Sequence, residues 1–313
     1  MLLHRCLAAV FVGLLLLGPA TPAAAEDAEF LVGFAQDDMS NDWRAAQVRA
    51  VERALAEHPD ISFTCTDARG STARNVLDIE RLVAQGIDLL IVGPRNPKAM
   101  TPAIRQVHEG GIPVILLTRR ITGPQDSGFT TFIGPADRQI AARAAGVLGE
   151  AMGGEGRILM LEGVPTATTA IARTKGFREA LTDWPKLRIV ASRAANYKRQ
   201  DAIRAMEDLL RNDVAFDAIY AHSDSMAVGA RLALRAHDRD PAAIPMVGID
   251  YIPAARAAIR EGTQTASFTY PTCGREAADI ATRILHGESV PREITVESTL
   301  VTRDNVDDVE PIF

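Results

Sequence analysis

The chain has 313 residues, 47% of them apolar and 24% charged, which is ordinary for a folded globular protein with room for two cores. Its formal charge of −6 becomes −7 once residues 1–25 are set aside, because Arg5 leaves 33 basic against 40 acidic residues. That balance argues against a nucleic-acid partner.

Residues 1–25 read as a secretory signal. His4 and Arg5 give a basic start, Leu7 to Leu17 an apolar stretch, and Ala23-Ala24-Ala25 a small-residue cleavage site. The apolar stretch is too short to span a bilayer and meets Gly18, Pro19 and Pro22 at once. No second stretch of spanning length follows, so an exported chain that is not embedded in the membrane is expected, cleaved near Ala25. Cys6 precedes the apolar stretch, which disfavours a lipoprotein. The remaining Cys65 and Cys273 either pair in an oxidising compartment or stay as two buried thiols.

From residue 29 the pattern alternates. Strand Phe30–Phe34 is followed by a helix over Asp42–Glu57, with Trp43, Ala46, Val48, Val51 and Leu55 spaced for one buried face. Strand Ile61–Thr66, helix Ser71–Gln85, strand Asp88–Gly93 and helix Pro97–Glu109 come next. Ile112–Leu117 is an uncharged run entered from Gly110-Gly111, which reads as a parallel strand covered on both faces. A polar, Gly-rich stretch at Thr122–Gly128 breaks the rhythm and Thr130–Ile133 resumes it.

The second run has helix Ala136–Met152, strand Arg157–Leu161, helix Thr168–Thr182, strand Leu187–Ala191, helix Arg199–Arg211, strand Ala218–Ala221 and helix Ser225–Ala236. Strand Pro245–Ile249, helix Pro253–Glu261, strand Thr265–Phe268, helix Thr272–His286 and a last strand Ile294–Leu300 complete it. Repeated βα units imply a right-handed, doubly wound parallel sheet. Two such runs make an α/β protein of two doubly wound parallel-sheet domains, with a ligand cleft where the strand ends face each other.

Catalytic groups are scarce. His222, Ser223 and Asp224 are consecutive, whereas a triad needs side chains converging from separate segments. The six histidines form no His-x-x-x-His or His-x-His pair, so no metal site and no cofactor is expected. Gly153-Gly154-Glu155-Gly156 lacks the Lys-Ser/Thr of a phosphate loop and reads as a turn.

The strand ends carry more. In an open parallel sheet, ligands sit outside the carboxyl ends of the strands. Gln36, Asp37 and Asp38 follow the first strand, Trp43 and Arg44 open the next helix, Arg95 follows the third strand, and Thr118, Arg119 and Arg120 follow the fourth. Asp37 and Asp38 read equally well as helix-capping acids. In the second run come Glu162, Arg173, Asn196, Tyr197, His222 to Asp224, Asp250 and Tyr251. Arg173 in a bland reading pairs with Glu162 or Asp183. Guanidiniums, carboxylates and a few aromatic rings around one cleft suit a polyhydroxylated ligand.

Several segments resemble the periplasmic sugar-binding proteins of the ribose/galactose type. They are Gly33-Phe34-Ala35-Gln36 through Ser40-x-x-Trp43-Arg44, Leu117-Thr118-Arg119, Arg173-x-Lys175-Gly176-Phe177, Tyr220-Ala221-His222-Ser223-Asp224-x-Met226-x-x-Gly229-Ala230, and Val247-Gly248-Ile249-Asp250. Trp43-Arg44 and the Tyr-Ala-His segment look most like the galactofuranose-binding branch. The resemblance implies two αβ domains, residues 26–132 with 270–290 and residues 133–269 with 291–313. It implies hinge crossings near 131–134, 267–270 and 288–294. It further implies a monomeric, non-catalytic periplasmic subunit that hands its ligand to an ATP-driven (ABC) permease, or alternatively presents its closed form to a membrane sensor kinase or chemoreceptor.

Carried over by position, the resemblance makes Trp43, Arg44 and Arg119 ligand contacts of the first domain, with Gln36, Arg95 and Thr118 expected beside them from their places at the strand ends. Arg173, Tyr197, Ser223 and Asp250 are those of the second, and Thr269 that of the hinge. Four departures stand out: Thr118-Arg119 where Asp-Arg is common, Ser223-Asp224 for Asn-Asp, Asn196-Tyr197 for Asp-Phe, and Thr269 for Gln or Glu. Fewer acids beside Arg95, Arg119, Arg120 and Arg173 favour a ligand carrying a carboxylate or phosphate, such as a sugar acid.

Overall fold

The computed structural model describes residues 28–124 and 127–313. The expected signal segment and cleavage near Ala25 lie outside the described residues. The first lobe starts with β1 (Phe30–Gln36), α1 (Asp42–Leu55), β2 (Ile61–Asp67) and α2 (Thr72–Ala84). It continues with β3 (Leu89–Val92), α3 (Pro97–Glu109), β4 (Val114–Leu117) and β5 (Thr131–Pro135). The chain then builds α4 (Asp137–Ala151), β6 (Glu155–Glu162), α5 (Thr168–Ala180), β7 (Lys186–Ala194), α6 (Arg199–Arg211) and β8 (Ala218–Ala221). Next are α7 (Asp224–Ala236), β9 (Met246–Val247), α8 (Pro253–Glu261), β10 (Ser267–Phe268), α9 (Gly274–Leu285), β11 (Glu293–Val296) and β12 (Leu300–Val301).

Local chemistry sets the helix starts. Asn41, Ser71 and Asn96 accept the N–H of the third residue on, from Arg44, Arg74 and Ala99, and Pro97 stands at the first helical position of α3. The uncharged run before Thr118 is β4, buried at every position.

Six parallel strands in the order β11-β5-β4-β3-β1-β2 form the first sheet, and four in the order β7-β6-β8-β9 form the second. Helix α9 returns to the first lobe, where Cys273, Ala277, Ala278 and Ala281 join the core made by Val32, Phe34, Val51 and Ile115.

The end of the chain differs from expectation. Ile294–Leu300 is not one strand: β11 pairs with β5 in the first sheet, while β12 runs antiparallel to β10 beside the second. Glu297 to Thr299 pass between them. Period-2 patterning cannot reveal that a strand stops in one sheet and restarts in another.

The cysteines also depart from both alternatives. Both thiols are free, with Cys273 buried but Cys65 exposed on β2, an edge strand.

Candidate functional site

The carboxyl ends of both sheets face one pocket of about 450 Å³ including its mouth. Asp37, Asp38, Trp43, Arg44, Arg95 and Arg119 line it from the first lobe, and Val164, Thr169, Arg173, Asn196, Tyr197 and Asp250 from the second. Asn41 and the crossing residue Tyr270 complete it. Of the expected residues, Trp43, Arg44, Arg95, Arg119, Arg173, Tyr197 and Asp250 are therefore brought together.

The centre of the first-lobe wall is Asp37. Its Oδ2 lies 2.8 Å from Arg119 Nη1 and 3.3 Å from Arg95 Nη1, and its Oδ1 lies 3.4 Å from Arg44 Nε. Burial alone would raise this carboxyl's pKa, but the charges of Arg119, Arg44 and Arg95 outweigh it and hold the pKa below the ordinary value. Burial and the neighbouring Arg119 bring Arg44 down to about 10. Arg44 also donates to Gln47 Oε1 at 3.0 Å and Thr118 Oγ1 at 3.3 Å.

On the opposite wall Arg173 donates Nε to Asp137 Oδ1 at 2.8 Å and Nη1 to the His222 carbonyl. The second carboxylate oxygen of Asp137 accepts from Tyr270 Oη at 3.3 Å. Thus the partner of Arg173 is neither Glu162 nor Asp183. Burial raises the Asp250 carboxyl well above its ordinary value despite the nearby Arg173. His222 accepts the Gly163 N–H at Nδ1, and burial keeps it neutral.

Backbone strain gathers at the same strand ends. Thr118, Asn196, Tyr197, Asp250 and Tyr251 all have positive φ, at 61°, 53°, 63°, 119° and 55°. Non-glycine residues in this region cost of order 1–3 kcal/mol each and cluster at functional sites.

Contacts across the cleft hold the lobes together. Asn41 Nδ2 donates to the Tyr197 carbonyl at 2.8 Å, Thr166 Oγ1 to the Arg95 carbonyl at 2.9 Å, and Thr169 Oγ1 to the Thr118 carbonyl at 3.1 Å. Lys198 Nζ meets Asp38 Oδ2 at 2.7 Å. Trp43, on α1, donates Nε1 to the Tyr270 carbonyl at 2.8 Å and packs into the core of the second lobe with Phe177, Tyr220 and Phe268.

Four expected contacts serve other purposes here. Gln36 is buried, donating to Gln47 and accepting the Asp37 N–H. Ser223 caps α7. Thr118 supports Arg44, and Thr269 Oγ1 accepts the Thr299 N–H at 2.8 Å in the last crossing. Arg120 is not among the lining residues; it pairs with Glu293 and lies over the Phe132 ring at 3.6 Å. Asp137, Tyr270, Asn41 and Thr169 escaped the sequence reading. Asp37 was visible at the strand end, but nothing in the sequence distinguishes a helix-capping carboxylate from one turned towards three arginines.

Among the described residues no group of three His, Cys, Asp or Glu side chains could hold a metal, and no helix is long and apolar enough to cross a membrane.

A family model described as a periplasmic binding protein domain matches residues 32–289. The ribose import binding protein of Bacillus subtilis is 26% identical, with 88% of each chain covered. A galactofuranose-binding protein of Escherichia coli is 28% identical over 88% of this chain and 89% of the other. Among solved structures, the fructose-binding periplasmic domain of a hybrid two-component system superposes with a TM-score of 0.84 at 27% identity, covering 89% and 92% of the two chains.

Proposed function

The chain belongs to the periplasmic binding protein family, and from that premise we propose that it is an exported receptor whose lobes close on a sugar or related polyol for delivery to an ABC permease. One observation carries this reading. Arg119 Nε and Tyr197 Oη are buried polar atoms with no hydrogen-bond partner, both on residues lining the interlobe pocket, beside Asp37 Oδ1, which meets only Arg44 Nε at 3.4 Å. Such atoms are costly to leave unpaired, so the site calls for a ligand with both donors and acceptors. Hydroxyl groups are both. The relatives are binding proteins for ribose and galactofuranose, which supports a sugar and a non-enzymatic role.

The lobe division that goes with this reading follows the sheets: β1 to β5 with α9 and β11 in one lobe, α4 to β10 with β12 in the other. Export to the periplasm as a monomer, with residues 1–25 removed, is part of the proposal.

The likeness to a fructose-binding domain of a two-component system favours a second destination, a membrane sensor kinase. An acidic sugar is the finer reading of the ligand, supported by four guanidiniums at the pocket. A thermal-shift screen of neutral sugars, polyols and sugar acids at low and high salt tests the receptor reading. A ligand of the folded state raises Tm with its concentration over Kd. A rise with a neutral sugar is the expected result, and no rise with any compound counts against the receptor.

A further inference from the structure

Resting on that receptor reading, we infer that His222 is a positioning residue of the second-lobe wall: its imidazole holds the turn that follows β6, and with it the side chains and cross-cleft contacts which that turn carries. His222 is fully buried and follows β8, where its N–H donates to the Leu161 carbonyl at 2.9 Å and ties its backbone to β6. Its Nδ1 accepts the Gly163 N–H at 3.2 Å, and its carbonyl accepts Nη1 of the pocket residue Arg173.

Gly163 opens the segment that leads into α5. Val164 and Thr169 of this segment line the pocket. Thr166 and Thr169 make two of the hydrogen bonds across the cleft, to the Arg95 and Thr118 carbonyls. Tyr197 packs on the same backbone, since a Cβ at Gly163 would stand 2.0 Å from Tyr197 Cζ. A displacement of Gly163 therefore moves the tyrosine, the pocket lip and two closing contacts together.

A buried backbone N–H needs an acceptor, and a neutral imidazole accepts only at the nitrogen that carries no proton. The contact with Gly163 thus assigns the ring proton to Nε2. An imidazolium would turn a second N–H towards Gly163 and break the contact. Burial and the Arg173 guanidinium both depress the imidazole pKa, while burial keeps Tyr220, whose ring lies 5.1 Å away, as the neutral phenol. The acceptor therefore persists throughout the neutral range.

The test is calorimetric titration of the wild type, His222→Leu and His222→Asn with D-ribose, D-galactose, D-fructose and myo-inositol, beside assigned imidazole ¹⁵N spectra of the wild type. Leucine fills the space without an acceptor, whereas asparagine places its side-chain oxygen where Nδ1 stands. For a compound that the wild type binds, His222→Leu should raise Kd at least about tenfold, and His222→Asn should return it to within about threefold of wild type. The His222 ring should stay the neutral Nε2–H tautomer from about pH 5 to 8. A purely structural histidine would lower Tm in both variants and leave Kd of the folded protein unmoved.

Unchanged Kd in His222→Leu, or equal losses in both variants, overturns the inference while wild-type binding leaves the receptor reading intact. So does a His222 ring that titrates in that pH range or carries its proton on Nδ1. If His222→Leu does not fold, Kd of His222→Asn decides, near wild type in support and well above it against. If neither variant folds, the tautomer decides. Failure of every compound with the folded wild type overturns the receptor reading and the inference together.

Discussion

At the scale of single residues, buried carboxylates do opposite things in the two lobes. Asp37 is held ionised by arginines, while Asp224, under the Asp250 loop, is pushed up to about 6 by burial. Asp224 accepts Gln264 Nε2 at 2.7 Å, Ser267 Oγ at 2.5 Å and the Tyr251 N–H at 2.6 Å, yet full desolvation outweighs all three. Its folded pKa lies above the unfolded value of 3.8, so its contribution to stability is greatest below pH 4 and is lost as pH rises through 6. Relative to Asp224→Asn, the wild type should gain about 1–1.5 kcal/mol on going from pH 7 to pH 5. Asp137 titrates in both proteins and cancels, whereas Asp250 cancels only in part, because Asp224 helps to raise it. Denaturant unfolding at the two pH values checks this, and a pH-independent difference would contradict it. Arg119 and Asp250 were legible in the sequence because a buried strand runs straight into each. Ser223 and Thr269 were not, because a hydroxyl that caps a helix or ties a crossing looks the same in sequence as one that meets a ligand.

At the scale of elements, the alternation of periods gave nearly every helix and strand, and the failures fell where partners decide. Strand β11 owes its existence to the free edge of β5, a neighbour far away in sequence. Helices α4 and α5 offer a sharper case. A Cβ at Gly176 would stand 2.1 Å from the Arg138 carbonyl oxygen, whereas one at Gly146, on the same α4, meets nothing within 4 Å. Alanine is favoured over glycine in a helix by about 1 kcal/mol, but overpacking costs about 1–3 kcal/mol. Gly146→Ala should therefore stabilise by some tenths to about 1 kcal/mol, and Gly176→Ala should destabilise on balance. Shifts of the denaturation midpoint at unchanged slope are the readout. Destabilisation by Gly146→Ala as well would contradict the open space at that position of α4.

At the scale of the molecule, the contacts across the cleft are of unequal weight. Lys198 is 34% exposed where it meets Asp38, so this pair is screened by solvent and contributes well under 1 kcal/mol. Trp43 is 5% exposed and reaches from one lobe into the other's core. Lys198→Ala should raise Kd less than about fivefold, almost wholly through faster dissociation. Trp43→Ala should raise it more than tenfold, because about 3–5 kcal/mol of packing is removed. Stopped-flow release of bound ligand separates the two, and equal effects would shift the weight of closure from the tryptophan to the ion pair.

The return of α9 and β11 to the first lobe also fixes an order of assembly. As the chain is synthesised, β5 is made before any of the second lobe, but the strand that pairs with it emerges only after α4 to β10 of that lobe. Pairing Phe132 with Glu293 closes a loop of about 160 residues, a non-local contact of the kind that slows folding. The second lobe can therefore be compact while β5 still presents an open edge. A nascent chain in that interval carries a hydrophobic strand with one unpaired edge, the point at which it is most exposed to aggregation.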